Sequence, residues 1–173
     1  MIKPLLFLLL ILCLIVSPAQ AQANSDFIYS VYDGQTTITG YTGSTSVLIL
    51  PDTLGGYPVT AIRYCAFRNC TSLTRVVIPE GVTAIGSRAF QNCPSLTQIL
   101  IPDSVQRLET HAFHGCCALK EITLPDNLIR IHTLAFYGCS AVRYCNPDSQ
   151  TAQTLSTAGL SFFDVNTLAQ PAP

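Results

Sequence analysis

Residues 71–93 read TSLTRVVIPEGVTAIGSRAFQNC, residues 94–116 read PSLTQILIPDSVQRLETHAFHGC, and residues 117–139 read CALKEITLPDNLIRIHTLAFYGC. Set under one another without a gap, they place Leu at 73, 96 and 119, Pro at 79, 102 and 125, and Ala at 89, 112 and 135. Phe falls at 90, 113 and 136 and Cys at 93, 116 and 139, so every interval is 23 residues. Ala66, Phe67 and Cys70 continue these columns into an earlier unit, residues 45–70, which carries a short insertion, 54–58 (LGGYP), before Val59. A fading unit starts at Ser140, with Val142 where the others have Leu.

A period of 23 is too short for a helical hairpin and lies within the roughly 20–29 residues of leucine-rich coils. Each unit reads as a short strand, a turn, a return segment and a second turn. Val76 and Ile78 share one face of the strand by its period of two, as do Ile99 with Ile101 and Ile122 with Leu124. Pro79 ends the strand because it has no N–H to give to a ladder. The return segment sends Val82, Ile85, Ala89 and Phe90 inward. Asn69, Asn92, Gly115 and Gly138 precede the Cys column, and these residue types enter the left-handed backbone region most easily, which predicts a corner there. No coil can bury its apolar side alone, so the core must come from stacking.

The pattern C-x-x-L-x-x-[VI]-x-[IL]-P-[DE]-x-[VL]-x-x-[IL]-x-x-x-A-F-x-[NG]-C resembles the BspA-like class of leucine-rich repeat proteins over residues 45–142, the inserted first unit included. The expected fold is thus a short right-handed β-rich solenoid with a parallel sheet on the concave face, few or no regular helices in the repeats, and a cap at both ends. The resemblance also implies export to the bacterial cell surface or beyond. In some members of that class it implies adherence to host matrix proteins such as fibronectin and fibrinogen.

The expected organisation has four parts. Lys3, the apolar run 5–16, Ser17-Pro18 and the sequence AQAQA at 19–23 form a secretory signal over residues 1–21, with cleavage after Ala21 or Ala23. The run is too short for a retained span of roughly 20 apolar residues. Residues 24–44 form a β-hairpin cap around Asp33-Gly34, and residues 45–145 hold about four repeats. Residues 146–173 form a C-terminal cap, with a helix starting at Asp148 or Ser149 and ending at Gly159, a last strand over 160–165, and a loose tail.

Of the whole chain 49% is hydrophobic and 11% charged, against roughly 25% charged in an average domain. After signal removal eight basic and ten acidic side chains remain. No basic stripe is present, which excludes a nucleic-acid binder, and no integral membrane segment remains. Glycine-rich phosphate loops, G-x-S-x-G and H-E-x-x-H are all absent, so neither catalysis nor a cofactor is expected.

Seven cysteines would remain in an oxidising compartment. The column Cys70, Cys93, Cys116 and Cys139 reads as buried small apolar residues, because parallel Cβ vectors on stacked coils do not suit a disulfide. Cys65 and Cys117 fall outside the column and are the residues a disulfide would recruit. Cys145 takes the strand position of Val76. His111 and His114 stand in the solvent-side columns of Arg88 and Gln91 and match no zinc spacing, and Glu109 shares a column with His132. Asp52, Glu80, Asp103, Asp126 and Asp148 each follow a proline, which suits a turn opening. The other reading, Ca²⁺ binding, asks for six to eight oxygens where each coil offers one carboxylate.

The candidate binding surface is the outward face of the strands: Ile49, Arg75, Val77, Gln98, Leu100, Lys120, Glu121, Thr123, Arg143 and Tyr144. Ile49, Val77, Leu100 and Thr123 form one column there. The expected partner is a protein, with a host or extracellular-matrix component the kind the resemblance implies. The alternative is a structural envelope or extracellular repeat protein with no dedicated ligand.

Overall fold

The computed structural model describes residues 24–139, 142–161 and 163–164. The signal expected over 1–21, the junction at 140–141 and most of the tail lie outside the described residues. What is described is a β-solenoid with two strand ladders and one short helix.

The first ladder is made of brief rungs: β3 (Val47–Ile49), β6 (Arg75–Val77), β8 (Gln98–Leu100), β10 (Glu121–Thr123), β12 (Val142–Cys145) and β13 (Phe163–Asp164). Five of them stop just short of a proline, at 51, 79, 102, 125 and 147. Adjacent rungs are parallel, with Val76 level with Leu48 and Ile99. These centres, and Ile122, point inward and are buried. The rung series runs on to Asp164, beyond Cys145, where the columns of the sequence stop being visible.

The second ladder is built from the return segments, and the sequence pattern does not announce it. It comprises β5 (Tyr57–Ile62), β7 (Ala84–Ile85), β9 (Arg107–Leu108) and β11 (Arg130–Ile131), all parallel. Two residues per coil are too few to show any period of two in sequence. An antiparallel hairpin, β1 (Phe27–Tyr32) and β2 (Gln35–Tyr41), closes the N-terminal end of this ladder rather than of the first. The inserted residues form a second small hairpin, β4 (Thr53–Leu54) against β5. Buried Thr36 joins the two by donating its Oγ1 hydrogen to the Leu54 carbonyl at 2.8 Å.

Between the ladders lies a single apolar core. Its spine is a stack of aromatic rings: Phe67–Phe90 at 5.0 Å, Phe90–Phe113 at 5.7 Å and Phe113–Phe136 at 5.4 Å between centroids, all within 9° of parallel. Tyr41 and Phe27 extend it at the N-terminal end with tilted contacts. The parallel stacking follows from identical rings repeated at the coil spacing, and each pair adds about 0.5–1.5 kcal/mol to the burial itself.

The coils turn their corners through left-handed backbone, at two columns in the first three and at one in the coil of Gly138. Asn69, Asn92, Gly115 and Gly138 have φ of 63°, 57°, 75° and 70°, as their residue types predict. Cys65, Arg88 and His111, four residues earlier, have φ of 58°, 58° and 59°. Nothing in those side chains signals this conformation, which costs about 1–2 kcal/mol per residue. Main-chain bonds between coils hold it: the Cys65 N–H donates to the Ser87 carbonyl and the Arg88 N–H to the Thr110 carbonyl.

At the C-terminal end, α1 (Gln150–Thr157) starts at Ser149, whose hydroxyl accepts from the Ala152 N–H at 3.1 Å. Ala152 and Leu155 are buried. Two threonines of this helix occupy the open backbone of the last full coil. The Leu128 N–H donates to Thr151 Oγ1, which itself donates to the Pro125 carbonyl, and Thr154 Oγ1 donates to the Leu128 carbonyl.

Candidate functional site

The concave face begins with its hydrogen bonds. Thr74 Oγ1 donates to the Ser46 carbonyl and Thr97 Oγ1 to the Thr74 carbonyl, both at 2.9 Å. Each threonine thereby adds a side-chain bond beside the main-chain bond entering its rung. The next residue in the column is Lys120, which has no hydroxyl. Here the ladder is interrupted: β3, β6 and β8 form one three-stranded sheet, β10, β12 and β13 another, and β8 does not pair with β10.

On the first of these sheets Ile49, Val77 and Leu100 are level with one another and half-buried. They make a continuous apolar stripe. Arg75 and Gln98 flank it, level with Val47. The Arg75 Nε is shielded from solvent without a hydrogen-bond partner among the described residues.

The second sheet presents Lys120, Glu121 and Thr123, all exposed. Its register differs from a plain 23-residue step. Glu121 pairs with Val142, Ile122 with Arg143 and Thr123 with Tyr144, an offset of 21. Tyr144 consequently ends the column of Ile49, Val77, Leu100 and Thr123, rather than that of Arg75, Gln98 and Glu121. Arg143 sits level with inward-facing Ile122. Its guanidinium lies 5.5 Å from the centroid of Phe136, and its Nε donates to the Ser161 carbonyl at 2.9 Å. It thus covers the end of the ring stack and stands apart from the other face residues. Cys145 is buried, on the inward face that its column required, but two residues later along the rung than Val76, beside Leu124 in the column of Ile78.

The acids that follow the prolines serve the turns. The Asp126 N–H donates to Asp103 Oδ1 at 3.4 Å, and Asn146 Nδ2 donates to Asp126 Oδ2 at 3.5 Å. Among the described residues no three His, Cys, Asp or Glu side chains converge closely enough to hold a metal ion.

Cys93 and Cys116 are fully buried, and their thiols donate to the Phe67 and Phe90 carbonyls at 3.1 Å. The adjacent Cys93, and then burial, push the Cys116 thiol far above the usual thiol range, and burial pushes Cys70 up, so both stay protonated. Cys65, Cys70, Cys93, Cys116 and Cys117 are free thiols.

The histidines gather on the corner away from the concave face. His114 stacks on Tyr137 at 5.4 Å with its Nδ1 2.7 Å from the Tyr137 carbonyl, and His111 meets both rings edge-on. Glu109 does not meet His132: its carboxylate is 3.8 Å from Arg130 Nη2, while His132 Nδ1 accepts from the Leu134 N–H. An open recess of about 400 Å³ lies between α1 and β11 around Ile129, Arg130, Gln150, Gln153 and Thr154. It includes none of His111, Glu109 and His132.

The chain is similar to solved leucine-rich repeat proteins. One from T. pallidum is 26% identical, over 72% of this chain and 70% of that one, with a TM-score of 0.62. One from Bacteroides capillosus is 28% identical, over 73% and 97% respectively, with a TM-score of 0.65. One from Bacteroides ovatus is 31% identical, over 70% and 36%, with a TM-score of 0.59. No curated protein matches. The BspA type leucine rich repeat model matches residues 44–164 in six copies, as many as there are rungs from β3 to β13, and the chain belongs to that family.

Proposed function

We propose that the chain is an exported, non-catalytic recognition module that binds a protein partner through its concave face. The observation that carries this reading is the half-exposed stripe of Ile49, Val77 and Leu100, held level rung by rung and extended by Thr123 and Tyr144. Apolar residues on a rigid sheet, bordered by Arg75, Gln98, Lys120 and Glu121, make the kind of centre and rim that interfaces use. Family membership supports it, since resemblance to the BspA type implies export to the bacterial cell surface or beyond. Among the described residues no helix is long and apolar enough to cross a membrane.

Size limits the affinity. Six rungs spaced about 4.8 Å apart, each contributing about 16 Å, cover several hundred Å², against about 800 Å² per partner in durable complexes. One copy therefore binds weakly. The test is surface plasmon resonance on immobilised fibronectin and fibrinogen, with the Val77→Glu, Leu100→Glu double variant. Saturable binding at micromolar or weaker Kd, lost in a variant that keeps its circular dichroism spectrum, is the expected result. Unchanged binding by the variant removes the concave face from the mechanism, and absence of binding to either protein favours a structural role.

A further inference from the structure

The two ladders expose several strand edges, and most are guarded as edges usually are. β11 has two residues, one of them Arg130; β13 has two, ending at Asp164; β3 has three, and Thr45 Oγ1 already donates to its Val47 carbonyl at 3.0 Å. β1 has one such guard, a register shift against β2 between Ile28 and Tyr29, and is otherwise the exception. It ends the larger sheet with six residues, FIYSVY, that include no charge, no proline and no glycine. Ile28, Tyr29, Val31 and Tyr32 are 54%, 39%, 42% and 86% exposed.

Hairpin geometry determines which main-chain groups this edge offers. The turn residues Asp33 and Gly34 have φ of 47° and 69°, and Tyr32 lies opposite Gln35. In a two-residue hairpin of this kind the pair flanking the turn exchanges hydrogen bonds, and the pattern alternates along the strands. Tyr32 and Ser30 are therefore bonded to β2, while the N–H and C=O groups of Tyr29 and Val31 point to the open side.

We propose that β1 pairs antiparallel with β1 of a second copy of this chain, about a two-fold axis through Ser30. In that register each Tyr29 exchanges its main-chain bonds with Val31 of the second copy, so the outward groups are matched. Ser30 faces Ser30, Ile28 lies beside Tyr32, and Asp33 lies beside Phe27. Moving the axis to between Tyr29 and Ser30 sets Asp26 against Asp33 at both ends and turns the open groups out of phase. A charge-free strand is the composition that can meet its own copy without repulsion. The contact is a strip about 20 Å long, short of a durable interface, so the dimer is reversible. Its consequence for function rests on the concave-face reading: two copies present two weak faces, and a repeated ligand gains from both.

Sedimentation equilibrium of the purified protein, without any ligand, tests the pairing independently of that reading. A reversible monomer–dimer equilibrium is expected in the micromolar to millimolar range, and Ser30→Lys, which opposes two like charges at the axis, should weaken it about tenfold or more. The Ser30→Cys variant should cross-link to itself under mild oxidation, with the bridge located at position 30 of both copies by peptide mass spectrometry, because directly opposed residues have disulfide-compatible spacing. The Gln153→Cys variant, altered on the exposed side of α1, should not. A protein that stays monomeric throughout, a dimer indifferent to Ser30→Lys, or cross-linking no greater in Ser30→Cys than in Gln153→Cys would each overturn the proposal.

Discussion

The front of the solenoid, up to β8, and the back, from β10 on, are written in the same 23-residue code and are held together differently. In front, Thr74 and Thr97 stitch the rungs, the apolar stripe is continuous, and both corner columns are left-handed. At the back the threonine column gives way to Lys120, the register slips at β12, and Leu134 does not take the left-handed conformation of Cys65, Arg88 and His111. A shared period places side chains on faces; the bonds between coils depend on individual residues within it.

The largest expected effect separates the middle of the ring stack from its end. Phe90 is fully buried between two rings, so Phe90→Ala should cost about 3–5 kcal/mol in urea unfolding. Phe136, 5% exposed with one ring neighbour, should cost less; equal losses would mean the stack has no distinct end. Arg143→Ala uncovers that end and removes the bond to Ser161, and should cost about 1 kcal/mol by the same measurement.

Repairing the back is the converse test. Lys120→Thr restores the hydroxyl column and should add about 0.5–1 kcal/mol, with new amide protection in hydrogen exchange between β8 and β10. Unchanged exchange would assign the break to the slipped register instead.

The smallest effect is a pH dependence. Withdrawal from water, then His114, Arg88 and His132, lower the pKa of His111 from 6.5. The neutral imidazole is favoured in the folded state, so its contribution is complete above 6.5 and is lost as the pH falls from there through the lowered value, while the unfolded chain takes up the proton. His111→Gln should flatten the fall of the urea midpoint between about pH 7 and 5. An unaltered slope would place the titration elsewhere.

Much of the fold was readable in residues 71–139. Val82, Ile85, Ala89 and Phe90 are buried as their columns required, and the Asn and Gly corners are left-handed. The second ladder was not readable, since two paired residues per coil leave no pattern. Nor were the left-handed Arg88 and His111, whose side chains carry no steric preference for it. On the concave face the period aligned Ile49, Val77 and Leu100 correctly, but it set Tyr144 and Arg143 two residues away from where the register puts them.

By itself the sequence determined the coil, its inward face and the stacking direction, because apolar residues repeated at a fixed interval have one way to be buried together. Only the tertiary structure decided how each coil is bonded to the next. Those bonds depend on register, on a hydroxyl at the entry to a rung, and on which ends of the ladders a hairpin or a helix covers. They are relations between residues some 20 positions apart, and no single coil contains them.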